Sequence, residues 1–140
     1  MTPAAHSAIL SDHILSAILV LAKRENARSS EIQRLAFPCH DFQLQEIFHD
    51  LHQTGKYPIL ASFVFSDTGP EPFSPALNES LSRLQLSGLI GRENPDYEVI
   101  FLRTAADSFF DDVLDSEFDP GQKEQLTEIA SKFLERVKTV

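Results

Sequence analysis

The chain has 140 residues, of which 12 are Lys or Arg and 21 are Asp or Glu, so its net charge is −9 at pH 7. Leu, Ile, Val and Phe together number 43, a share well above the ~20% typical of disordered chains, and the length suits one domain. The acidic balance argues against a protein that coats nucleic acid or an anionic membrane.

Three further features bear on where the protein works. Cys39 is the only cysteine, which excludes an internal disulfide and suits a reducing compartment. The longest apolar run, Ile14–Ala22, is far shorter than the ~20 residues of a membrane span. Met1–Ala5 lacks the positive charge of a secretory signal. We therefore expect a cytoplasmic protein that does not bind membranes.

Helical patterns dominate the first third of the chain. Apolar residues at helical spacing predict a central helix over Ser7–Glu25, apolar around more than half of its circumference. A capping box opens a short predicted helix over Glu31–Phe37, which Pro38 ends. A third helix is predicted from Asp41 to Thr54, followed by Gly55 at the position of a C-terminal cap.

The middle of the chain mixes a predicted strand with a helix. Ile59–Phe65 is rich in β-forming residues and predicts a strand with two apolar faces. One glycine and two prolines make Asp67–Phe73 a loop. Ser74 followed by Pro75 has the form of an N-cap and first helical residue, which predicts a helix over Pro75–Ser87.

A hairpin and two helices complete the pattern. Leu89–Arg92 and Tyr97–Arg103 are strand-like and flank a turn that contains Asn94 and Pro95. Thr104 opens a predicted helix that runs to about Leu114. The last predicted helix, Pro120–Lys138, has an apolar stripe formed by Leu126, Ile129, Ala130, Phe133 and Val137.

The order of these elements predicts the fold class. We expect a mainly α chain with a small antiparallel β-sheet, an α+β fold, arranged as a winged helix-turn-helix-like domain. One domain would cover residues 1–140, with a core over 1–103 and C-terminal helices over 104–140. Residues 75–87 would form the recognition helix and residues 92–97 the wing.

The segment Phe63–Thr104 also carries a resemblance to a known family. It resembles the middle of the Panacea antitoxin-associated domain and related small uncharacterised bacterial winged-helix proteins. This resemblance implies an antitoxin or a protein-interaction module without catalytic residues. The matching residues are Phe63-Val64-Phe65, Gly69-Pro70, Leu77, Leu81, Leu84, Gly88-Leu89-Ile90, Tyr97 and Leu102-Arg103-Thr104.

Few residues suit DNA binding, which is the alternative function. Base edges would be read by polar side chains of the recognition helix, and phosphates would be bound by basic ones. The charges of Glu79 and Arg83 cancel within that helix. We therefore expect the fold to serve protein contacts, with a DNA-binding regulator as the alternative. The residues that would contact DNA are Asn78, Ser82, Arg83 and Arg92, with a basic face from Lys23, Arg24, Arg28 and Arg34.

Catalytic and metal-binding patterns are weak. Cys39, His49 and His52 are of the types that Zn²⁺ binds, and the two histidines are three residues apart on one predicted helix. The chain has neither a Cys-x-x-Cys nor a His-Glu-x-x-His motif. We expect the histidines to lie at the margin of a packed helix face, with no metal and no cofactor. The chain also lacks a catalytic constellation, so we expect no enzyme activity.

The C-terminal part concentrates acidic residues. Six acids and no base lie within Asp107–Asp119, interleaved with Phe109, Phe110 and Phe118. They form either a solvated helix side or a patch for a basic partner, and we expect two of the three phenylalanines to lie in the core. The stripe of the last helix packs on its own domain or on a second copy, and we expect a homodimer through the C-terminal helices. No other partner is identifiable.

Overall fold

The computed structural model describes residues 11–29, 36–37, 41–66, 73–91 and 100–138. Helices make up about 80% of this part of the chain. The four long helices are α1 (Ser11–Ser29), α2 (Asp41–Gln53), α3 (Pro75–Leu86) and α6 (Pro120–Lys138). The shorter elements are a 3₁₀ helix (Pro58–Ser62), α4 (Thr104–Phe109), a π-helical turn (Phe110–Leu114), α5 (Asp115–Glu117), and the strands β1 (Ala36–Phe37), β2 (Ile90–Gly91) and β3 (Ile100–Leu102).

Helix α1 is the centre of the core, as its sequence predicts. Every residue from Ile14 to Val20 is buried, and Ala22 is buried as well. The helix packs most extensively against α6, then against α3, and it also contacts the π-helical turn. A helix that is apolar over most of its circumference has to be covered on several sides, which explains this position. Residues 7–10 of the predicted first helix lie outside the described residues.

Three phenylalanines join the helices that surround α1. The ring of Phe48 in α2 meets the ring of Phe63 at 5.8 Å and that of Phe133 in α6 at 5.9 Å, both edge to face. None of the three has any exposed side chain surface. Edge-to-face pairs of buried rings add to the hydrophobic gain, so this cluster links α2, α6 and the chain after the 3₁₀ helix into one core.

The helix boundaries follow local capping. The hydroxyl of Ser74 accepts a hydrogen bond from the backbone of Leu77, which opens α3 as predicted. Asp119 and Gln122 cap α6 reciprocally, with donor–acceptor distances of 2.7 and 2.9 Å. Gly88, with φ of 79°, follows the C-cap of α3 in a left-handed conformation that glycine adopts without strain. The predicted starts of α2, α3 and α6 are therefore confirmed.

The predicted strand over Ile59–Phe65 is wrong. Its first half forms a 3₁₀ helix, held by backbone hydrogen bonds from Leu60 to Tyr57 and from Phe63 to Leu60. In a 3₁₀ helix residues three apart lie on the same side. Tyr57, Leu60 and Phe63 therefore all point into the core, whereas Val64 is 68% exposed. The buried residues of this apolar run recur every three positions, as in a 3₁₀ helix, rather than every two, as in a strand. The composition of the run alone does not distinguish these two structures.

The 3₁₀ helix lies against α6. The backbone N–H of Ile59 donates to the side chain of Gln125 at 3.2 Å. Burial of the Tyr57 ring, together with a hydrogen bond to Glu128, raises the pKa of the Tyr57 hydroxyl above its usual value. These contacts hold the 3₁₀ helix against α6.

Two further predictions of local structure also need correction. Residues 31–35 of the predicted helix Glu31–Phe37 lie outside the described residues, but its last two residues form β1 instead. In the described residues the predicted hairpin strands are represented by β2 and β3. Residues 92–99, which contain the predicted wing and Arg92, lie outside the described residues. Strand β3 lies between the other two, antiparallel to both, with Ala36 opposite Phe101 and Ile90 opposite Leu102.

The predicted α+β class, mainly α with a small antiparallel β-sheet in a winged helix-turn-helix-like domain, is wrong, and the fold of the described residues is all-α. The three strands have two, two and three residues. Such strands form only a few ladder hydrogen bonds and offer no extended face for helices to cover. The buried residues belong almost entirely to helices, so helix-on-helix packing forms the core. Within the described residues, no helix is long and apolar enough to cross a bilayer.

Candidate interaction surface at helix α3

Helix α3 is anchored at its start by a buried glutamine of α2. The backbone N–H of Ser74 donates to Oε1 of Gln45 at 2.7 Å, and Nε2 of Gln45 donates back to the carbonyl of Ser74 at 3.1 Å. Gln45 is 5% exposed and Ser74 is fully buried. One amide side chain thus satisfies two backbone groups and determines where α3 begins relative to α2. The sequence signal was a polar residue next to the apolar stripe of α2.

A second anchor holds the other half of α3 to the start of α1. The carboxylate of Asp12 accepts from Nε and Nη2 of Arg83 at 2.7 and 2.9 Å, and from the hydroxyl of Ser80 at 2.7 Å. Partial burial raises the pKa of Asp12, but the hydrogen bonds from Arg83 and Ser80 and the Arg83 charge outweigh it, so this pKa lies below 3.8. The Asp12 carboxylate is therefore ionised at neutral pH and restrains the Arg83 guanidinium.

The pairing of Arg83 with Asp12 affects how well the residues predicted to contact DNA could do so. Asn78 and Ser82 lie on the exposed side of α3. Arg83 is half-exposed, but its guanidinium fork is occupied by Asp12. A bidentate pair of this kind uses the donors that would otherwise contact a phosphate or a guanine. Arg92 lies outside the described residues, so the structure brings only three of the four together.

The predicted basic face on α1 is likewise engaged within the chain. Nζ of Lys23 lies 2.6 Å from Asp107, and Nη2 of Arg24 lies 3.0 Å from Asp111. Arg24 also lies over the ring of Phe110, 4.9 Å from its centre. These acids belong to the acidic stretch, which therefore serves as the counter-charge for α1. The side chains of Arg28 and Arg34 lie outside the described residues.

The aromatic residues of the acidic stretch mostly face inward. Phe110 and Phe118 are 7% and 4% exposed. Phe109 is partly buried and meets the ring of His13, which lies 2.7 Å from the carboxylate of Glu117. The prediction that two of the three phenylalanines lie in the core is confirmed. A π-helical turn lies at Phe110–Leu114, where the sequence predicts a regular helix.

The two histidines of the weak metal candidate flank an aromatic ring. His49 and His52 each meet the ring of Phe65 edge to face, at 5.2 and 5.5 Å. Nε2 of His49 also lies 3.1 Å from the amide nitrogen of Gln53. Cys39 lies outside the described residues, and in the part of the chain that the structure describes no three His, Cys, Asp or Glu side chains cluster as metal ligands do.

The apolar stripe of α6 is used within the chain. Leu126, Ile129, Ala130 and Phe133 are buried against the core, and α1 and α2 are among the elements that contact this helix. The dimer prediction through this helix stays a prediction, but its apolar stripe has no free side for a second copy. The exposed residues between Gly121 and Glu135 are polar or glycine, namely Gly121, Glu124, Thr127, Glu128, Lys132 and Glu135.

Of the four large apolar side chains that are exposed in the described residues, Val113 lies in the π-helical turn and the other three lie on or near α3. Leu86 at the end of the helix is 88% exposed, and Phe73, just before its N-cap, is 44% exposed. Phe73 forms an isolated bridge with Ser66, which brings the exposed Val64 to the same end of the helix. We call this the α3 surface: Val64, Phe73 and the exposed residues of α3, which are Pro75, Asn78, Glu79, Ser82, Arg83, Gln85 and Leu86.

The described residues provide little for catalysis. Ser80 is fully buried and donates its hydroxyl proton to Asp12, so it does not face a substrate. The hydroxyl of Ser16 is buried in α1 and has no hydrogen-bond partner. Comparison with protein-family models, curated proteins and solved structures gave no match. We therefore infer a function from the exposed side chains of the α3 surface.

Proposed function

We propose that this chain is a non-enzymatic cytoplasmic protein that acts through protein contacts, of the antitoxin or adaptor type, and that the α3 surface makes these contacts. One observation carries the proposal: the arginine of α3 is held by Asp12 while a leucine of the same helix is 88% exposed. The exposed leucine of the helix is therefore free to contact a partner, whereas the guanidinium of Arg83 is paired with Asp12. Large apolar side chains that are exposed at both ends of one helix are candidates for contact with a protein partner.

The composition of the α3 surface supports a protein partner. The centres of protein interfaces are poor in charged groups and are anchored by a few large side chains. Here Leu86 lies at one end of the helix and Phe73 with Val64 at the other. Between them the surface presents the neutral side chains of Asn78, Ser82 and Gln85, together with Glu79 and with Arg83, whose charge is paired with Asp12.

The resemblance of Phe63–Thr104 to winged-helix proteins is part of this proposal, and its support is limited to the order of the elements, because the fold is all-α. Helices α1, α2 and α3 occur with short strands in the order α1, β1, α2, α3, β2, β3, and β3 lies between β1 and β2. In this arrangement α3 takes the place of a recognition helix. Its role here is to recognise a protein surface.

A DNA-binding regulator is the second candidate, and one observation favours it. Asn78 and Ser82 are exposed on the outer side of α3, and amide and hydroxyl groups read base edges in the major groove. Opposed to it are the engaged Arg83, the paired Lys23 and Arg24 and the net charge of −9. Binding to DNA takes most of its affinity from cations near the phosphates, which the described part of α3 does not supply.

A photo-crosslinking experiment separates the two functions. A photoreactive amino acid replaces Leu86 in the full chain, expressed in its native host, and replaces the exposed Glu124 of α6 as the matched control. We expect a protein adduct from position 86 that is absent from position 124, identified by mass spectrometry. In parallel, fluorescence anisotropy measures binding to genomic DNA fragments at roughly 150 mM salt. Binding to DNA together with no protein adduct would overturn the proposal in favour of the regulator.

A further inference from the structure

The arginine of α3 is paired with an acid that is itself held from a second side. The Asp12 carboxylate accepts from Nε and Nη2 of Arg83 at 2.7 and 2.9 Å, and from the buried hydroxyl of Ser80 at 2.7 Å. The side chain of Asp12 is 19% exposed, whereas that of Arg83 is 52% exposed. Asp12 is therefore the fixed partner of the pair, and the long side chain of Arg83 is the one that would turn toward solvent if the pair were broken.

A released Arg83 would lie among groups that suit nucleic acid. Asn78 and Ser82 are one turn apart on the exposed side of α3, in the row beside that of Glu79 and Arg83. The two donors that Asp12 occupies are those with which a guanidinium binds a phosphate or a guanine. The other acid beside Arg83 is Glu79, whose carboxylate lies 3.9 Å from Nη1. This is too far for a hydrogen bond, so Glu79 does not take the place of Asp12.

The same relation recurs at the two cations of α1 whose side chains the structure describes. Nζ of Lys23 lies 2.6 Å from Asp107, and Nη2 of Arg24 lies 3.0 Å from Asp111. In each of these pairs, as at α3, the acid comes from a different element of the fold. A phosphate would have to displace a carboxylate to reach any of the three cations. Pairing with acids, rather than a lack of basic residues, therefore keeps these cations from a polyanion.

We propose that Asp12 is a specificity-determining residue of the α3 surface, because it holds Arg83 and so excludes nucleic acid from a helix that presents the other groups for binding it. This inference rests on the proposed function, since it explains why the same surface is selective for a protein. Specificity is a difference between two affinities, so a contact that weakens the wrong partner contributes as much as one that strengthens the right partner. Asp12 acts through Arg83 and is therefore a positioning residue.

Fluorescence anisotropy with a labelled DNA duplex of mixed sequence tests the inference on the full chain. Asp12→Asn removes the charge and keeps an oxygen that accepts from Ser80. The matched control is Asp112→Asn, which changes the net charge equally at an exposed position of the π-helical turn. One additional phosphate contact strengthens binding by roughly tenfold at about 50 mM salt, and we expect this gain for Asp12→Asn over Asp112→Asn.

Two further variants and the salt dependence separate this role from a merely structural one. The slope of log affinity against log salt concentration should be steeper by about 0.9 for Asp12→Asn, as expected for one more phosphate contact. Adding Arg83→Gln to Asp12→Asn restores the wild-type net charge and removes the gain. Asp12→Glu retains the acid and does not show the gain. Circular dichroism confirms that each variant folds, and Asp12→Ser is used if Asp12→Asn does not fold.

The NMR signal of the Arg83 Nε–H group supplies an independent measurement that also detects weak binding. Titration with the same duplex should shift this signal in Asp12→Asn and leave it in place in the wild type. If Asp12→Asn and Asp112→Asn bind alike and the signal stays in place in both, the inference fails, while a protein adduct from position 86 still supports the proposed function. If the wild type binds as tightly as Asp12→Asn and position 86 yields no protein adduct, both fail.

Discussion

Helices α3 and α6 begin in the same way and end with different surfaces. Each opens with a capped N-terminus and a proline at its first position, and each buries an apolar stripe. The outer side of α6 is charged and its only large apolar residues face the core, whereas α3 ends in an exposed leucine. Similar inner stripes therefore place two helices in one core, and it is the outer residues that differ between them.

The largest expected loss of stability comes from a substitution on the inner side of α6, which we compare with a substitution on the outer side of α3. Phe133→Ala removes a fully buried ring that packs on Phe48, and we expect a loss of about 3–5 kcal/mol in the free energy of unfolding. Leu86→Ala changes an exposed position and should stay within about 0.5 kcal/mol. Urea unfolding of both variants and the wild type measures the two losses. A loss above about 1 kcal/mol for Leu86→Ala would contradict its assignment as free surface.

The next effect concerns the anchor of α3 on α2. Gln45→Ala leaves the buried N–H of Ser74 without its partner and opens a small cavity. We expect a loss of about 2 kcal/mol, because an unsatisfied buried group costs its full desolvation. The matched control is Gln85→Ala on the exposed side of α3, which should be near neutral. Equal effects in the two variants would mean that Gln45 does not hold the start of α3.

The smallest effect concerns the anchor between α1 and α3, and it depends on pH. Asp12→Ala deprives the buried hydroxyl of Ser80 of its acceptor, for which we expect a loss of about 1 kcal/mol at neutral pH. The pKa of Asp12 is below 3.8 in the folded chain. Its stabilising contribution is therefore present above this value and disappears as the pH falls through the lowered folded pKa.

Urea unfolding at neutral pH and at about pH 3 measures this dependence, since the difference between wild type and Asp12→Ala should shrink in acid. The exposed Asp112→Ala provides the control, with no comparable loss at neutral pH. A difference that grows as the pH falls would show that the carboxylate destabilises the folded chain. The anchor between α1 and α3 would then not account for the position of Arg83.

The elements predicted best are those with local signals. The start of α6 was predicted from Asp119 and Pro120, and both its ends match, because capping depends on residues that are adjacent in sequence. The 3₁₀ helix was mistaken for a strand because a short apolar run suits both periods. At β1, Ala36 and Phe37 pair with a strand more than sixty residues away, and no local pattern predicts such a partner.

The candidate site shows the same division. Asn78 and Ser82, predicted only as DNA contacts, are both exposed on α3, and their shared side follows from helical periodicity. The role of Arg83 was not predictable, since Asp12 lies 71 positions earlier in the chain. Gln45 was missed for the same reason: a polar residue beside an apolar stripe shows that it needs a partner but does not identify Ser74.

By itself the sequence determined the long helices, their buried sides and the absence of an internal disulfide, because these follow from spacing, capping and composition. Only the tertiary structure decided which charges are used up within the chain. Lys23, Arg24 and Arg83 pair with acids that are distant in sequence, since packing α1 against α3 and α4 brings opposite charges within hydrogen-bond distance. The net charge of −9 is therefore a sum over the chain, whereas the charge that a partner meets depends on the fold.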